Sequence, residues 1–346
     1  MKPAEVAMPS PAFQSRYPGD GLIIIDGATA EKLVSTDEAI ALTEAALKKT
    51  SNKIALQDVR RTLDLPGVPG SCLSLMYASL SDQPYFGAKV LSVSPQNFQH
   101  GLPSHQGGVL LFEKEHGRPI AIINGHAITS LRTPAATAVA TRALSRTDAR
   151  ELALIGYGEQ AERHIETISR VRKITRIRVW GRDSQKAALF ARAQCEKGYP
   201  TYDLPTAKEA VSGADIVCTV TSAKSPVLKG EWLTPGTHVN GVGASVAALQ
   251  ELDTECVTRS NIWVDYMPIA MTAASDLFEP LAKGVLDPSQ VIGEIGAVLN
   301  GEVRGRQDAE EITLYRSLGV PAQDIELANF IYQKAKDLGL GTRVML

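Results

Sequence analysis

Residues 151–171 read ELALIGYGEQAERHIETISRV and predict a strand, a glycine turn and a helix in that order. The apolar run 152–155 is typical of a buried strand. Gly156 permits the tight turn, Gly158 lets the backbone approach a pyrophosphate, and Ala161 lets the helix pack close to the strand. Because the first N–H groups of a helix bind anions, the pattern favours a nucleotide site over an ordinary turn.

Strands and helices alternate after this stretch. It is followed by the strand-like runs RIRVWGR, ADIVCTVTS, GTHVNGVGAS and NIWVDYM, with a helix expected over 184–197. Such alternation predicts parallel βαβ units, and right-handed crossovers make a doubly wound sheet the economical topology. The fold class is therefore α/β, with a Rossmann-type doubly wound parallel sheet.

A different pattern precedes this sheet. Residues 22–26 predict a strand, and residues 36–49 predict an amphipathic helix. Residues 55–125 contain short strand-like runs separated by Gly, Pro, Ser and Asn, which predicts a mostly antiparallel sheet. Near the C-terminus, residues 312–320 predict one more strand, and the helix expected over 322–338 could return to pack on the first domain.

A helix rich in alanine is expected over residues 126–146. Thr133 is a good N-cap and Pro134 suits the first helical position, so the pattern predicts that the helix begins right after Arg132. A helix N-terminus beside an arginine would bind a carboxylate or a phosphate. The alternative is a capped helix with a solvated arginine.

Composition limits the class of protein. The 346 residues suffice for two domains, and 44% hydrophobic with 21% charged residues are typical of a soluble globular protein. A net charge of −2 gives no basic footprint for nucleic acid or an anionic membrane, which leaves small neutral or anionic metabolites as partners. No apolar run approaches the roughly 20 residues of a membrane span, so a cytoplasmic protein is expected.

Three further expectations concern the cysteines, the histidines and the N-terminal arm. The four cysteines lie far apart and are expected to be reduced, partly buried thiols. The six histidines show no metal-ligand spacing, so no metal site is predicted. Residues 1–20 contain several prolines and no apolar period, and are expected to be disordered or draped over a partner.

The choice of nucleotide depends on the end of the second strand in the nucleotide-binding unit. An acidic residue there binds the free ribose 2′-hydroxyl of NAD. Here Arg182 follows Trp180 and Gly181 and suits the 2′-phosphate of NADP, whereas Asp183 leaves NAD possible. The sequence therefore favours NADP over NAD.

Five motifs together carry a resemblance to a known family. In their order and spacing, GLPSHQGGVLLFE, SLRTPAATAVATRAL, GYGEQAERH, VNGVGAS and ITLYRSLGVPAQD resemble the ornithine cyclodeaminase/mu-crystallin family, from about residue 22 to the C-terminus. The resemblance implies a nicotinamide cofactor, an amino- or imino-acid substrate and a homodimer. It also implies a mixed α+β domain for substrate binding and dimerisation, residues 1–130 and 318–346, and a Rossmann domain, residues 131–317.

The resemblance also assigns site residues by position. Arg61 in VRRTL, Lys89 in GAKVLSV and Arg132 in SLRT match the family's carboxylate-binding cations. His105 and Asn240 are expected in the pocket, without a fixed role. The expected cofactor-binding residues are Ser104, Thr133, Gly156, Gly158, Glu159, Gln160, Arg182, Thr221, Val242 and Ser317.

One departure from the family pattern bears on the chemistry. Where cyclodeaminases and alanine dehydrogenases of the family carry an aspartate as general acid or base, the segment VGAS of this chain ends in Ser245. An ordinary serine hydroxyl takes up a proton poorly near neutral pH. A preformed imine needs that base less, because a protonated imine and a hydride give the amino acid in one step.

The expected reaction is therefore NAD(P)H-dependent reduction of an imine that bears a carboxylate. Cyclic ketimines such as 1-pyrroline-2-carboxylate and 1-piperideine-2-carboxylate fit, and so does an acyclic imino acid. Lys89 is the candidate proton donor or relay, because a lysine among other cations can have a lowered pKa.

Two other classes of function stay open. One is reductive amination like that of alanine dehydrogenase, or ornithine cyclodeamination with another carboxylate, such as Asp265, in place of the missing aspartate. The other is a non-catalytic, NADP-binding protein like mu-crystallin. The retained cations argue against the second class, because buried positive groups are costly without an anion.

Overall fold

The computed structural model describes residues 21–345, so the expectation for residues 1–20 lies outside the described residues. The strands are β1 (Leu22–Ile25), β2 (Ala55–Gln57), β3 (Arg61–Asp64), β4 (Cys72–Leu80), β5 (Tyr85–Val93), β6 (His105–Glu113), β7 (Pro119–Asn124), β8 (Glu151–Ile155), β9 (Arg176–Trp180), β10 (Thr201–Asp203), β11 (Ile216–Thr219), β12 (His238–Gly241), β13 (Asn261–Val264), β14 (Val291–Glu294), β15 (Thr313–Arg316) and β16 (Thr342–Val344). The helices are α1 (Gly27–Lys32), α2 (Thr36–Ser51), α3 (Gly125–Leu144), α4 (Glu159–Val171), α5 (Ser184–Glu196), α6 (Ala207–Val211), α7 (Thr254–Thr258), α8 (Met267–Ala273), α9 (Ser275–Ala282), α10 (Ile295–Leu299) and α11 (Pro321–Leu338).

The second half of the chain forms an eight-stranded sheet in the order β10-β9-β8-β11-β12-β15-β13-β14. Every neighbouring pair in it is parallel. The order reverses beside β8, whose central residues are fully buried, and this reversal places a crevice at the carboxyl ends of β8 and β11. The predicted doubly wound parallel sheet is confirmed.

The first half of the chain, together with the C-terminal strand β16, forms a second, mixed sheet. Its order is β16-β1-β7-β6-β5-β4-β2, with β3 paired to β4, and only β1 and β7 run parallel. Alternate residues of β4 face the core, with Ser74, Met76 and Ala78 buried and Leu73 and Tyr77 exposed. The mostly antiparallel sheet predicted for residues 55–125 is confirmed.

Helix α3 lies between the two sheets and is buried on all sides, as expected of a helix that is rich in small apolar residues. It begins at Gly125, capped by Asn124, whose Oδ1 accepts the N–H of Ala127 at 2.9 Å. The prediction of a start after Arg132 is therefore wrong, and Pro134 lies inside the helix.

The error has a physical reason. Ala127, Ile128 and Leu131 are buried in the main core, and this burial favours the extra helical turns despite the hydrogen bond that Pro134 cannot make. Arg132 thus lies mid-helix. The second anion site that was expected at a helix N-terminus beside it does not exist.

The C-terminal helix α11 returns to the first sheet. It packs against β4, β5 and β6 and against α2, and its Ile325, Leu327 and Ile331 are fully buried. The expectation of a returning helix is confirmed. The boundaries at 130/131 and 317/318 stay a prediction, since α3 contacts elements of both sheets.

The expectations about membrane-spanning segments and cysteines can also be compared with the structure. None of the helices in residues 21–345 is long and apolar enough to cross a membrane. The cysteines are free thiols, of which Cys218 and Cys256 are buried and Cys195 is exposed.

The N-cap assignment can be tested by two substitutions in α3. Asn124→Ala should lower the free energy of unfolding by about 1 kcal/mol, because the N–H of Ala127 loses its cap. Thr133→Val should change it by less than about 0.5 kcal/mol, because the buried Thr133 hydroxyl has no hydrogen-bond partner to lose. Urea unfolding measures both, and a larger loss for Thr133→Val would contradict this N-cap.

Candidate active site

A cavity of about 570 Å³ lies between the two sheets, at the carboxyl ends of β8, β11 and β12. One wall comes from the inner face of the first sheet, and the opposite wall comes from the glycine turn and the loops after β11 and β12. Helix α3 contributes residues between the walls. Elements far apart in sequence therefore meet at the crevice where open α/β sheets bind ligands.

The glycine turn has the geometry that the sequence predicted. Gly156 has a φ of 121°, and a side chain there would collide with the carbonyl of Val220. Gly158 faces open space in the cavity and is the N-cap of α4, with no side-chain cap hydrogen bond. The first N–H groups of α4 can therefore bind an anionic ligand.

Most of the predicted cofactor-binding residues line this cavity. Thr133 Oγ1 and Gln160 Oε1 are buried without a hydrogen-bond partner among the described residues. Buried polar atoms of this kind are rare, and they fit a polar ligand. The cavity lining includes Ser104, Thr133, Gly158, Glu159, Gln160, Thr221, Val242 and Ser317.

Two predicted cofactor residues lie outside the lining. Gly156 lies behind the turn, against Val220. Arg182 is exposed beyond the end of β9. The neighbouring Asp183 caps α5, because its Oδ1 accepts the N–H of Lys186 at 3.1 Å.

Cations gather at the end of the cavity next to the first sheet. Lys89 on β5 and Arg132 on α3 are almost completely buried, with 2% and 7% of their side chains exposed. Lys89 Nζ donates to Thr129 Oγ1 at 2.6 Å and to Asp324 Oδ1 at 3.0 Å. Arg132 Nε lies 3.4 Å from the same Asp324 oxygen, and the half-buried Arg60 completes the group.

The third cation is Arg60, which corrects the prediction of Arg61. Arg61 pairs in register with Leu75 on the outer face of the first sheet, 64% of its side chain is exposed, and it is bound to Asp58. Successive side chains of an extended chain point to opposite sides, so the preceding residue faces the cavity. Arg60 Nη2 donates to the carbonyl of Leu318 at 3.4 Å.

The loop after β15 supports these arginines. Gly319 has a φ of 80°, which lets the backbone lie against the Arg132 guanidinium. Asp265 accepts the N–H groups of Leu318 at 2.7 Å and Gly319 at 2.6 Å. Burial raises the pKa of Asp265, although these bonds offset part of the rise. The carboxylate that was considered as a replacement for the missing aspartate is therefore committed to the backbone.

Burial and neighbouring charges shift the pKa values of two side chains in the cavity, Lys89 and His105. Burial, with the charge of Arg132, lowers the pKa of Lys89 to about 8, while Asp324 opposes the shift. Loss of solvent, with the charges of Lys89 and Arg60, lowers the pKa of His105 to about 4. At neutral pH the lysine is therefore mostly charged and His105 is neutral.

Acidic groups are scarce in the cavity. Among the described lining residues the one carboxylate is Glu159, and its Oε1 lies 2.9 Å from His126 Nε2. The hydrogen bond with Glu159 raises the pKa of His126. Ser245 lines the cavity where the family aspartate was expected. No described lining carboxylate is left to act as a base at the cation end.

Asn240 does not reach the cavity lining. It is buried, its amide nitrogen donates to Thr141 Oγ1 at 3.0 Å, and its oxygen lies 3.2 Å from His238 Nε2. It ties β12 to α3. The expectation that Asn240 is a pocket residue is wrong, whereas His105 does line the cavity.

Sequence reasoning missed Glu251. This buried carboxylate accepts the N–H groups of Thr221 at 2.6 Å and Gly243 at 2.7 Å and the hydroxyl of Thr219 at 2.9 Å. It thereby fixes the two loops that carry Thr221, Val242 and Ser245. No sequence pattern around Glu251 indicates this role, because only the fold brings these loops together around its carboxylate.

A group of side chains outside the cavity could hold a cation. Glu113, Glu115 and His116 come close together at the hairpin between β6 and β7. The Glu113 carboxylate already accepts backbone N–H groups of that hairpin. The group lies in an exposed turn and is not part of the site.

Comparisons with known proteins agree with this geometry. The model of the "Ornithine cyclodeaminase/mu-crystallin family" matches residues 24–339. A "Delta(1)-pyrroline-2-carboxylate reductase" of Bacillus cereus is 34% identical over 325 residues, which cover 93% of this chain and 99% of the relative.

Solved structures give the same relationship. Thermococcus litoralis Delta(1)-pyrroline-2-carboxylate reductase, in complex with NADH and L-proline, matches with a TM-score of 0.90 and 32% identity over 93% of this chain and 100% of that one. An archaeal alanine dehydrogenase dimer with bound NAD matches with a TM-score of 0.88 and 30% identity over 94% and 99%.

Proposed function

The chain belongs to the ornithine cyclodeaminase/mu-crystallin family, and from this premise we propose that it is an NAD(P)H-dependent reductase of a carboxylate-bearing imine. The substrate class is the cyclic ketimines, with 1-pyrroline-2-carboxylate as the first candidate. The observation that carries the proposal is the cation group Arg60, Lys89 and Arg132 in a cavity whose one described lining carboxylate is already paired.

The cation group binds and orients the substrate. Its three positive charges lie near two buried carboxylates, Asp324 and Asp265, which leaves an excess of one positive charge that the substrate carboxylate can balance. Met76, Leu91 and Val93 form an apolar wall beside Lys89, which suits the methylene groups of a ring. Fixed orientation of this kind removes much of the entropic part of a reaction barrier.

The cofactor end suits a nicotinamide dinucleotide. The α4 N-terminus can bind the pyrophosphate, and the unpaired Thr133 hydroxyl can donate to a phosphate oxygen. The unpaired Gln160 Oε1 can accept a hydrogen bond from a hydroxyl or amide group of the cofactor. When bound, the cofactor supplies the hydride for the imine carbon. Lys89 donates two of its N–H groups within the protein, so the third can hold or deliver a proton at the substrate.

Ser245 separates this proposal from the other family reactions. Release or addition of ammonia needs a carboxylate that takes up and returns protons, and the described lining offers no free one. Reductive amination and cyclodeamination are therefore disfavoured. A non-catalytic binding protein is disfavoured too, since the buried cations need an anionic ligand.

We favour NADP over NAD for this chain. Arg182 is exposed just beyond β9, where a 2′-phosphate would lie in a Rossmann fold. The Asp183 carboxylate, which would otherwise suit the NAD ribose, caps α5.

We also propose a homodimer that uses the outer face of the first sheet. That face exposes large apolar side chains, an arrangement typical of association surfaces. They are Ile24, Leu63, Leu73, Tyr77 and Val90. The cytoplasmic location stays a prediction.

The reaction is tested by following NADPH absorbance with each class of substrate. We expect turnover with 1-pyrroline-2-carboxylate or 1-piperideine-2-carboxylate, and a rate at least about 100-fold lower with pyruvate plus ammonia, because that reaction needs the absent base. Ornithine should release no ammonia. Turnover of ornithine or pyruvate in preference to both ketimines would refute the proposal.

Two adjacent arginines provide the matched control for this assay. Arg60→Gln should raise KM for the ketimine by about 10- to 100-fold, since it removes a charged hydrogen bond to the carboxylate. Arg61→Gln removes an ion pair on the outer face of the first sheet, away from the cavity, and should leave KM within about twofold. The reverse result would place Arg61, rather than Arg60, at the substrate.

The cofactor preference is tested with Arg182→Ala. The variant should raise KM for NADPH by about 10-fold or more and leave KM for NADH nearly unchanged, because only NADPH carries the 2′-phosphate. Steady-state kinetics with both reduced cofactors measures this. A wild-type enzyme that prefers NADH would disprove the NADP assignment.

The dimer is tested by light scattering. The wild-type protein should have twice the 37.1 kDa mass of the chain. Leu73→Glu should shift it toward the monomer, because a charge would be buried in the interface. Leu189→Glu, at an exposed leucine on α5, is the control and should leave the mass unchanged. A wild-type mass of one chain would contradict the dimer.

A further inference from the structure

We propose that Asp324 is a positioning residue for imine reduction, which holds Lys89 and Arg132 at the substrate carboxylate and keeps the Lys89 ammonium charged. The inference rests on the proposed function. It gives a role to a residue that sequence reasoning left without one, although Asp324 lies in the motif ITLYRSLGVPAQD.

The geometry places one carboxylate oxygen between two cations from different elements. Asp324 lies in the first turn of α11 and is 1% exposed. Its Oδ1 lies 3.0 Å from Lys89 Nζ on β5 and 3.4 Å from Arg132 Nε on α3. The C-terminal helix thereby fixes two side chains that face the cavity.

The second oxygen of the same carboxylate is also informative. Asp324 Oδ2 is buried and has no hydrogen-bond partner among the residues described, and the same holds for Arg132 Nε. A purely structural buried ion pair would normally satisfy all of its polar atoms. The imperfect pairing leaves the Arg132 guanidinium available to a ligand in the cavity.

Charge balance explains why the carboxylate matters. Arginine side chains stay protonated in proteins, so Arg60 and Arg132 cannot relieve their mutual repulsion. Lys89 can do so, by losing its proton. Asp324 opposes that loss, whereas Arg132 and Arg60 favour it.

The other groups around Lys89 add little charge at neutral pH. His105, at the start of β6, is neutral because its pKa is lowered to about 4. His126, in the first turn of α3, is paired with Glu159. Thr129 is uncharged and accepts a Lys89 hydrogen bond. Asp324 is therefore the carboxylate that compensates Lys89.

The experiment compares wild type with Asp324→Asn, which keeps the shape and removes the charge. The midpoint of Lys89 titration should fall by about 1 to 3 pH units, as expected on loss of an adjacent opposite charge. The alkaline limb of kcat/KM for 1-pyrroline-2-carboxylate should move to lower pH by the same amount. Activity should recover at acidic pH, where Lys89 is again charged.

Two variants separate this role from a structural one. Glu326→Gln, on the same helix, breaks a similar buried ion pair with Lys49 at 2.9 Å but lies outside the cavity. It should change stability and leave the pH profile in place. Asp324→Glu keeps the negative charge and should restore a profile close to that of wild type.

The Lys89 titration itself is followed by NMR of protein labelled with 13C at lysine Cε, with the signal assigned by its loss in Lys89→Met. This readout does not require turnover. A shifted Lys89 midpoint without ketimine reduction by wild type would uphold the role of Asp324 and refute the proposed function. Unchanged midpoints and profiles in folded Asp324→Asn would overturn the inference. If Asp324→Asn does not fold, Asp324→Ser takes its place: a Lys89 midpoint lowered by a pH unit or more supports the inference, and a wild-type midpoint overturns it.

Discussion

Three cations lie beside two buried carboxylates, Asp324 and Asp265, at the seam between the two sheets. Lys89 comes from β5, Arg132 from α3 and Asp324 from α11, and Arg60 lies in the connection just before β3. Buried charges are tolerated only when they are paired, so these elements must meet for the site to be stable. The excess of positive charge that remains is what makes the cavity a site for a carboxylate.

One helix, α3, lies between the two sheets and brings the charged elements together. Helix α3 contributes Arg132 to the cation group, places Thr129 beside Lys89, and brings Thr133 into the same cavity as the glycine turn. Its small side chains allow close packing on both sides. Two buried carboxylates then fix the surrounding loops. Glu251 binds the loops that follow β11 and β12, and Asp265 binds the loop that follows β15. These contacts connect the substrate and cofactor ends of the cavity.

Local patterns predicted much of this structure, and tertiary contacts decided the rest. The strand, turn and helix around Gly156 follow from residues that are adjacent in sequence. The start of α3 could not be predicted from adjacent residues, because burial of its first turns outweighed the capping signal at Thr133. Arg60 and Arg61 are neighbours whose sides of the sheet depend on strand register. Asp324 and Glu251 act across more than 200 and about 30 residues, respectively, and no local pattern carries such contacts.

The central claim is that the cations hold a carboxylate so that hydride reaches the adjacent imine carbon. Reduction of 1-pyrroline-2-carboxylate with a cofactor deuterated at the transferable C4 position tests it most directly, with mass spectrometry and NMR of the product. The account predicts proline that carries one deuterium, on the carbon next to the carboxylate. Proline without deuterium at that carbon, or no proline at all, would contradict it.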